Sequence, residues 1–274
     1  MVFSVLVRGR PRLRPRIRKR NPTVTDYLYH IDELKRGVKA LDFMASKRIE
    51  LTSTSPAYSV ESGANEVALV CLSGQAEYKC GRSGGTMTYK DFLYIPWKSR
   101  LELTAPHNAV LMEIASPCHR DTVFAHLRYS EIAKDPDRHK VFGLTETSSR
   151  RDVYMFIDDK FNASRLMMGI CEGTTGAWTS WPPHEHAKER EELYVYFDMG
   201  KSFSIQCIYE DLAAPLFCGI VREGDMVAIP KGYHPNVSCP GGRITYLYAM
   251  AARTPGQRDF MALNIQREFG DKLE

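Results

Sequence analysis

The sequence has no apolar run of the length that a membrane span requires. One of the longest, Val67-Ala-Leu-Val-Cys-Leu72, has six residues, whereas a spanning helix needs roughly 20. Near the N-terminus, the apolar residues 2–7 precede a basic cluster, which reverses the order of a secretory signal, where the positive charges come first. We therefore expect neither a membrane segment nor export.

Cysteine-pair motifs are also absent. The chain has seven cysteines, an odd number, and no C-x-x-C motif. This pattern predicts neither a disulfide framework nor a thiolate zinc site, and a cytoplasmic location suits it best, because that compartment is reducing. A nucleotide-binding loop is lacking too, because the glycine-containing residues 81–85 are too short and wrongly placed to hold phosphate.

Acidic side chains are missing from residues 8–20, which hold eight Lys or Arg. Without those eight, the chain has 29 basic and 33 acidic residues, so its net charge changes from +4 to −4. An arginine-rich arm can bind nucleic acid or an anionic surface. We instead interpret residues 1–36 as a basic, disordered extension and expect it to bind neither nucleic acid nor membrane.

What the sequence does contain is a regular series of short strand patterns between turn residues. In the first half we predict strands at residues 66–72, 76–80, 92–95, 101–104 and 110–114. In the second half we predict them at residues 153–157, 165–171, 193–197, 203–208, 219–221, 226–229 and 245–250. Residues 120–137, rich in Ala, Leu, Glu and Lys, are the clear helix candidate.

One segment is repeated in the two halves. Asp91-Phe-Leu-Tyr-Ile-Pro96 matches Asp225-Met-Val-Ala-Ile-Pro230 as an acid, a strand and a proline in the same frame. We therefore predict an all-β fold, a duplicated jelly roll with domains at residues 37–142 and 153–274 and a linker at residues 143–152.

The two copies differ after the proline. His234 stands four residues past Pro230, whereas Arg100 stands four residues past Pro96. An H-x-H motif precedes the second copy alone. Only the C-terminal barrel is therefore expected to bind a metal ion.

The H-x-H motif, His184 and His186, has a metal-ligand spacing. Residues two apart share one face of a strand, whereas on a helix they diverge. A straight strand would place Glu192 about 26 Å from His184, so the chain must turn back, and the charged residues 187–191 suit such a turn. The alternative is that residues 187–193 form a solvated helix and both histidines are surface residues.

His234 follows a predicted strand and turn and adds a third imidazole. With His184, His186 and Glu192 it gives three imidazoles and one carboxylate. We interpret the remaining five histidines as surface or hydrogen-bonded residues, because they lack paired spacing: His30, His107, His119, His126 and His139.

These motifs resemble the two-part cupin signature, through H-x-H and a following Glu within residues 176–200 and G-x5-P-x-G-x-H at residues 224–234. More narrowly, residues 37–269 resemble the 5-deoxy-glucuronate isomerase family of inositol catabolism, which is related to the 4-deoxy-5-ketouronate isomerase of pectin breakdown. The segments that carry this likeness are Trp181-Pro-Pro-His-x-His186, Glu191-Glu192 before Tyr194 and Tyr196, Pro230-Lys-Gly-Tyr-His-Pro235 and Tyr246-Leu-Tyr-Ala-Met250. The loop between His186 and Glu192 is shorter than in the inositol-pathway pattern and nearer to the pectin-pathway enzyme.

The resemblance implies a bicupin that isomerises a deoxy-uronate between aldose and ketose forms through an enediol. It also implies one divalent ion, which would be held by His184, His186, Glu192 and His234. Imidazole and carboxylate ligands suit Zn, Mn, Fe, Ni or Cu(II), and zinc follows from the family likeness. We expect a small sugar acid as the ligand and a homo-oligomer as the assembly.

Proton transfer requires an acid or base near the ion. The candidates for this role are Glu191, Tyr194, Lys231 and Tyr246, although strand alternation would point the first away from the metal and the tyrosines could simply fill the barrel. A uronate also needs a cation for its carboxylate. The candidates for that role are Arg165, Arg253 and again Lys231.

Two other classes of function fit the same ligands. Cupin barrels with histidine and carboxylate ligands also serve oxygen-dependent metalloenzymes, which oxygen uptake during turnover would reveal. A non-catalytic sugar-binding module would instead bind a uronate without turning it over.

Overall fold

The computed structural model describes residues 27–273, and strands predominate in this range. The helices are short: α1 spans Ile31–Arg36, α2 spans Tyr129–Ile132, and a single 3-10 turn spans Arg267–Phe269. Within the described range, no helix has both the length and the apolar character needed to cross a bilayer. The all-β fold class predicted from the strand patterns is confirmed.

The first half of the chain forms one barrel from strands on two facing sheets. The strands in this half of the chain are β1 Leu28–Tyr29, β2 Ala45–Leu51, β3 Ala57–Glu61, β4 Asn65–Ser73, β5 Gln75–Cys80, β6 Ser83–Thr88, β7 Phe92–Ile95, β8 Arg100–Thr104 and β9 Ala109–Pro117. One sheet has the order β3-β8-β5-β6. Its outward positions are polar and its inward positions apolar, the alternation expected of a sheet with one wet face.

The second half builds a larger barrel. The strands in this half of the chain are β10 Ala125–Leu127, β11 His139–Phe142, β12 Arg151–Ile157, β13 Leu166–Gly173, β14 Trp178–Thr179, β15 His184–Glu185, β16 Arg190–Tyr196, β17 Ser204–Ile208, β18 Phe217–Val221, β19 Met226–Ile229, β20 Asn236–Ser238, β21 Ile244–Ala252 and β22 Asn264–Ile265. A seven-stranded sheet, β1-β19-β16-β21-β13-β12-β11, faces a four-stranded one, β14-β20-β17-β18, and β15 pairs with β22.

The large sheets of the two barrels pack against each other, so their strands are buried on both faces. The first barrel contributes the sheet β10-β7-β4-β9-β2. In β16 and just beyond it, Leu193, Val195 and Phe197 point into the core that the two sheets share, whereas Tyr194 and Tyr196 point into the second barrel. Period-two alternation thus divides one strand between an interface and a barrel interior.

The barrels also exchange their first strands. Strand β1 pairs with β19 of the second barrel, and β10 pairs with β7 of the first. Each of these strands leads directly into a short helix, α1 or α2. The exchange makes the duplication predicted from the Asp91 and Asp225 segments visible in three dimensions, and the bicupin architecture is confirmed.

All twelve predicted strands are present, with ends that differ by up to three residues. The helix predicted at residues 120–137 is wrong, because residues 125–127 pair with β7 and only α2 is helical there. Residues 81–85 are not only a turn, since β6 begins at Ser83. Composition favoured a helix in residues 120–137, but long-range pairing decided the conformation.

The predicted domain boundaries differ from the structure in two places. Residues 28–36, which we placed in the disordered extension, form β1 and α1, so that part of the prediction is wrong. The rest of the extension, residues 1–26, lies outside the described residues. The predicted linker at residues 143–152 lies mostly in the loop of the β11–β12 hairpin and ends inside β12, because a polar hairpin loop and a polar linker have the same composition.

Candidate metal centre

Four predicted ligands converge inside the second barrel. One ring nitrogen from each of His184, His186 and His234 lies within 4.8 Å of those of the other two. The Glu192 Oε2 atom is 3.0 Å from His186 Nε2 and 3.1 Å from His234 Nε2. Within residues 27–273, no other group of three metal-ligating side chains is found.

The predicted ligands come from three backbone segments, one of which carries both His184 and His186. His184 lies on β15, which pairs with β22 near the C-terminus, and the turn at residues 187–189 then reverses the chain into β16, where Glu192 points inward. His234 lies in the loop between β19 and β20. The predicted turn between the second histidine and the glutamate is therefore confirmed.

The outer nitrogen of every histidine faces a backbone carbonyl. The Nδ1 atoms of His184, His186 and His234 lie 3.0, 3.4 and 2.9 Å from the carbonyl oxygens of Pro182, Arg190 and Gly232. A carbonyl only accepts, so a proton on each Nδ1 would satisfy it and leave each Nε2 lone pair available to a cation at the centre. Such outer partners are what orient metal-ligating histidines in proteins.

The inner nitrogen of His234 gives an independent test of whether a metal fits. The ring is fully buried, and its Nε2 approaches Glu192 without the alignment of a hydrogen bond, so this polar atom has no hydrogen-bond partner. A buried polar atom without a partner is costly. A divalent cation among the four groups would give it one, and the donor set of three imidazoles and one carboxylate suits Zn, Mn, Fe or Ni.

The electrostatics favour ligand forms that are ready to bind a cation. Burial, helped by the neighbouring His234 and His186, holds the pKa of His184 well below its ordinary value, and burial likewise lowers the pKa of His186. Burial alone would raise the pKa of Glu192, but the contacts with His186 and His234 outweigh it and lower that pKa. Burial and these contacts therefore favour neutral imidazoles at His184 and His186 beside an ionised carboxylate at Glu192.

A cavity opens beside the ligands. It is lined by polar groups that include Tyr194, Tyr246 and Ser180 and by apolar residues of the C-terminal segment such as Phe260 and Leu263. The Tyr194 hydroxyl donates to Ser180 Oγ at 3.3 Å. Burial raises the pKa of Tyr194 and of Tyr246 well above the ordinary value, so both phenols stay neutral donors.

The two predicted groups Glu191 and Lys231 lie outside this cavity. The Glu191 carboxylate accepts the backbone N–H groups of Asp42 and Phe43 at 3.0 and 2.7 Å, on the face of β16 that meets the first barrel. The Lys231 ammonium is exposed and pairs with Glu210 at 2.6 Å. We had given both as candidates for the general base, but neither side chain is placed to serve in that role.

The predicted carboxylate-binding arginines are engaged elsewhere as well. Arg165 donates to the carbonyls of Ala252 and Arg253, both at 2.6 Å, and its guanidinium lies over the Phe43 ring. Arg253 donates to the Ala187 carbonyl at 2.6 Å. Both guanidinium groups stabilise backbone near the barrel interface, and neither lines the cavity.

Sequence reasoning missed the two arginines that do line the cavity, Arg151 and Arg190. Arg151 is 4% exposed and donates to the carbonyls of Ser149 and Trp181. Arg190 is 2% exposed and donates to the carbonyls of Asp259 and Phe260, which fixes the segment that covers the cavity. Within the described range, neither guanidinium forms an ion pair with a carboxylate. No motif marks them, and only the pairing of β12 and β16 with their neighbours shows their position.

A family model described as the KduI/IolB family matches residues 18–265 of the 274. The chain belongs to the KduI/IolB family. The resemblance inferred from the motifs around His184 and His234 is thereby confirmed.

Several proteins that are similar in sequence to this KduI/IolB chain are named as isomerases. It is 32% identical to a 5-deoxy-glucuronate isomerase of Geobacillus kaustophilus over 37% of this chain and 40% of the relative, so that match spans less than half of the relative's length. The same name is carried by a Bacillus subtilis (strain 168) relative, 25% identical over 82% of this chain and 87% of the relative. A 4-deoxy-L-threo-5-hexosulose-uronate ketol-isomerase of Opitutus terrae is 24% identical over 68% and 66%.

Solved structures share the fold of this KduI/IolB chain. An IolB-like protein from Salmonella typhimurium LT2 superposes with a TM-score of 0.76 at 19% identity, covering 89% of this chain and 98% of that one. Oxalate decarboxylase from Bacillus subtilis superposes with a TM-score of 0.61 at 13% identity, covering 90% and 80%.

Within this KduI/IolB chain the two barrels differ at the ligand positions. Glu192 pairs with Ile229 across β16 and β19, and in the first barrel Val67 pairs with Ile95 across β4 and β7. Val67 is buried in an aliphatic interior. This replacement of a carboxylate by an apolar side chain supports the prediction that only the second barrel binds metal.

Proposed function

We propose that this chain is a metal-dependent aldose–ketose isomerase that acts on a deoxy-uronate, with 5-deoxy-glucuronate as its substrate. The observation that carries the proposal is the convergence of His184, His186, Glu192 and His234 beside a cavity. The names of the Geobacillus and Bacillus relatives support the choice of substrate.

In this proposal the four converging side chains hold one divalent ion, and zinc is the choice that the family likeness favours. When bound, such an ion acts as a Lewis acid that makes a C–H beside a carbonyl more acidic and stabilises the resulting enediolate. The remaining chemistry belongs to the residues of the chain.

The buried phenols of Tyr194 and Tyr246 contribute neutral O–H donors. Because their pKa values are raised by burial, they donate hydrogen bonds to substrate oxygens rather than act as phenolate bases. Donors fixed in a buried cavity stabilise negative charge that develops on an enediolate oxygen. Phe260 and Leu263 add apolar surface to the cavity wall.

Arg151 is the residue we propose for the carboxylate of the uronate. Its guanidinium lines the cavity and has no acidic partner among the described residues. Arginine binds carboxylates through a planar fork of N–H groups. Arg190 has a supporting role, because its bonds to Asp259 and Phe260 hold the covering segment in place.

A second substrate is worth testing, the 4-deoxy-5-keto-uronate implied by the Opitutus terrae relative. The short turn at residues 187–189 between His186 and Glu192 favours it, since this loop is nearer to the pectin-pathway pattern. Both substrates present a carboxylate and a carbonyl with neighbouring hydroxyls.

The physiological setting is part of the same proposal. We place the reaction in myo-inositol catabolism in the cytoplasm, by a homo-oligomer. All seven cysteines are free thiols, which suits a reducing compartment.

The test combines metal analysis of the purified protein with isomerase assays on both deoxy-uronates, for the wild type and His186→Ala. Even the partners of metal ligands are worth about 10–100-fold in affinity or activity, so we expect His186→Ala to lose its metal and more than about 100-fold of its activity. His107→Ala, at an exposed position in the first barrel, is the matched control and should keep both.

Other outcomes would point to other functions. Oxygen consumption during turnover would replace the isomerase with an oxygen-dependent metalloenzyme. Tight binding of a uronate without turnover would indicate a sugar-binding module. Equal activity of His186→Ala and wild type would show that the proposed metal centre has no part in the reaction.

A further inference from the structure

Two thiols lie side by side on the outer face of the four-stranded sheet in the second barrel. Cys207 on β17 and Cys218 on β18 are direct register partners, and their Sγ atoms are 3.6 Å apart. Both are free in the structure. Among residues 27–273, no other two cysteine sulfurs are within hydrogen-bonding distance of each other.

The strand geometry allows a bond between them. The Cys207 N–H donates to the Pro235 carbonyl at 3.0 Å, on the side away from β18, so Cys207 and Cys218 form a non-hydrogen-bonded pair. Such pairs bring Cα atoms to about 4.5 Å, which falls within the roughly 4.4–6.8 Å that disulfides span. The sulfurs can therefore join without a change of register.

The two thiols differ in accessibility. Cys218 is exposed, whereas Cys207 is half-buried. Burial, followed by the nearby Cys218, raises the pKa of Cys207 to about 12. Because the thiolate is the reactive form and must be reached by the oxidant, Cys218 is the thiol that reacts first and Cys207 is the one that resolves the product.

We propose that Cys207 and Cys218 form a reversible dithiol–disulfide site that is oxidised by hydroperoxides. The Cys218 sulfur attacks one peroxide oxygen, the O–O bond breaks, and the other oxygen leaves as water or an alcohol, so Cys218 becomes a sulfenic acid. The Cys207 sulfur then displaces the sulfenic oxygen, which leaves as water with the Cys207 proton, and the S–S bond forms. Two thiols are oxidised, one peroxide is reduced, and a thiol reductant reverses the change.

The site is separate from the metal centre. The intervening residue Gln206 points inward and donates to the His234 carbonyl at 2.9 Å, while its neighbour Cys207 faces outward. Oxidation can therefore be measured on the full chain without any assay of the cavity.

The sequence makes the experiment direct, because trypsin leaves both cysteines in one peptide, residues 202–222. The full-length protein is treated with hydrogen peroxide, its remaining thiols are alkylated after denaturation, and the peptide is analysed by mass spectrometry. We expect residues 202–222 to escape alkylation and to be lighter than the thiol form by two hydrogen atoms. Cleavage after Glu210 should give two fragments that separate only after reduction.

Three variants decide the assignment. Cys218→Ser should lose the bridged peptide and leave Cys207 open to alkylation, and Cys207→Ser should leave Cys218 as a sulfenic acid that a sulfenic-specific probe captures. Cys239→Ser is the matched control, because Cys239 is also half-buried but contacts Ser202 rather than a thiol, and it should form the bridge like wild type. Near-ultraviolet circular dichroism checks that each variant is folded.

The proposal is overturned if wild-type peroxide treatment leaves Cys207 alkylated in full, if Cys239→Ser abolishes the bridge, or if the bond joins two molecules on a non-reducing gel.

Discussion

At the residue scale, the adjacent Glu191 and Glu192 lie on opposite faces of β16 and have different partners. Glu192 faces the histidines, whereas Glu191 accepts two backbone N–H groups that precede β2 in the first barrel. Its counterpart Glu66 on β4 accepts the N–H groups of residues 164–166, which precede and begin β13 in the second barrel. Each barrel thus holds the other through one buried carboxylate, and Glu191 is a structural residue.

This division of roles predicts opposite effects for two neighbouring substitutions. Glu192→Gln should weaken metal binding by more than about 100-fold, because a ligand is lost rather than the partner of one. Glu191→Gln should keep the metal but lower the free energy of unfolding by about 1–3 kcal/mol, because buried N–H groups lose a charged acceptor. Metal content after dialysis and urea denaturation check these outcomes. Metal loss in Glu191→Gln would refute the structural assignment.

The proposed carboxylate site can be tested against the one predicted from sequence. Arg151→Met should raise KM for 5-deoxy-glucuronate roughly 10- to 100-fold, because a hydrogen bond involving a charged group is worth about 1.5–3 kcal/mol. Lys231→Met removes an exposed side chain that pairs with Glu210 and should leave KM unchanged. Steady-state kinetics compare the two variants. An increase for Lys231→Met alone would restore the earlier assignment.

At the element scale, each exchanged strand is held by an aspartate at the start of a central strand. Asp91 accepts the Thr88 N–H at 2.8 Å and the Tyr129 N–H at 2.9 Å, and it contacts His126 Nε2 at 3.2 Å. Asp225 likewise accepts the Arg222 N–H at 2.9 Å and contacts His30 Nδ1 at 2.7 Å. The repeated acid thus links the turn before its strand to the segment donated by the other half of the chain.

Asp91 gives the pH prediction at this scale. Burial would raise its pKa, but the hydrogen bonds from His126, Thr88 and Tyr129 outweigh it and lower the pKa from 3.8. Between the folded and the unfolded pKa the unfolded chain binds more protons, so this contribution to stability is present above about pH 4 and is lost as the pH falls through the folded pKa.

Asp91→Asn should therefore be less stable than wild type at neutral pH, by about 1–3 kcal/mol, and the difference should shrink below about pH 4. Urea denaturation across the acid range measures it. Asp137→Asn, at an exposed position, is the control and should follow wild type. A constant difference at all pH values would show that titration of Asp91 has no part in acid stability.

The elements also show what the sequence could and could not predict. The sequence predicted β7 and β19 to the residue, because each is a short apolar run followed by a proline. The H-x-H spacing is also a local signal, and it predicted that His184 and His186 lie on one side of the chain, where the structure brings them near His234. The helix prediction failed at residues 125–127 because their conformation depends on pairing with β7. Arg151 was missed because its position depends on the whole seven-stranded sheet.

At the scale of the whole molecule, the largest core is shared by both barrels. Phe92 of the first barrel and Phe156 of the second are fully buried and stack with ring centroids 3.9 Å apart. Leu34 on α1 is also fully buried in this core. Each barrel keeps an interior core, but the shared core and the exchanged strands β1 and β10 make part of the packing of each barrel depend on the other.

The two barrels should therefore unfold in a single transition, although they are separate repeats. Trp97 reports on the first barrel, and Trp178 and Trp181 report on the second, so a variant that keeps Trp97 alone and one that keeps the other two can be followed separately. Phe156→Ala should lower the stability seen by both reporters by about 3–5 kcal/mol, because it opens a cavity in the shared core. Val141→Ala, at a position that is 52% exposed, should change neither. Two transitions at different denaturant concentrations, or a shift confined to the second barrel, would show that the exchanged strands and the shared core do not couple the repeats.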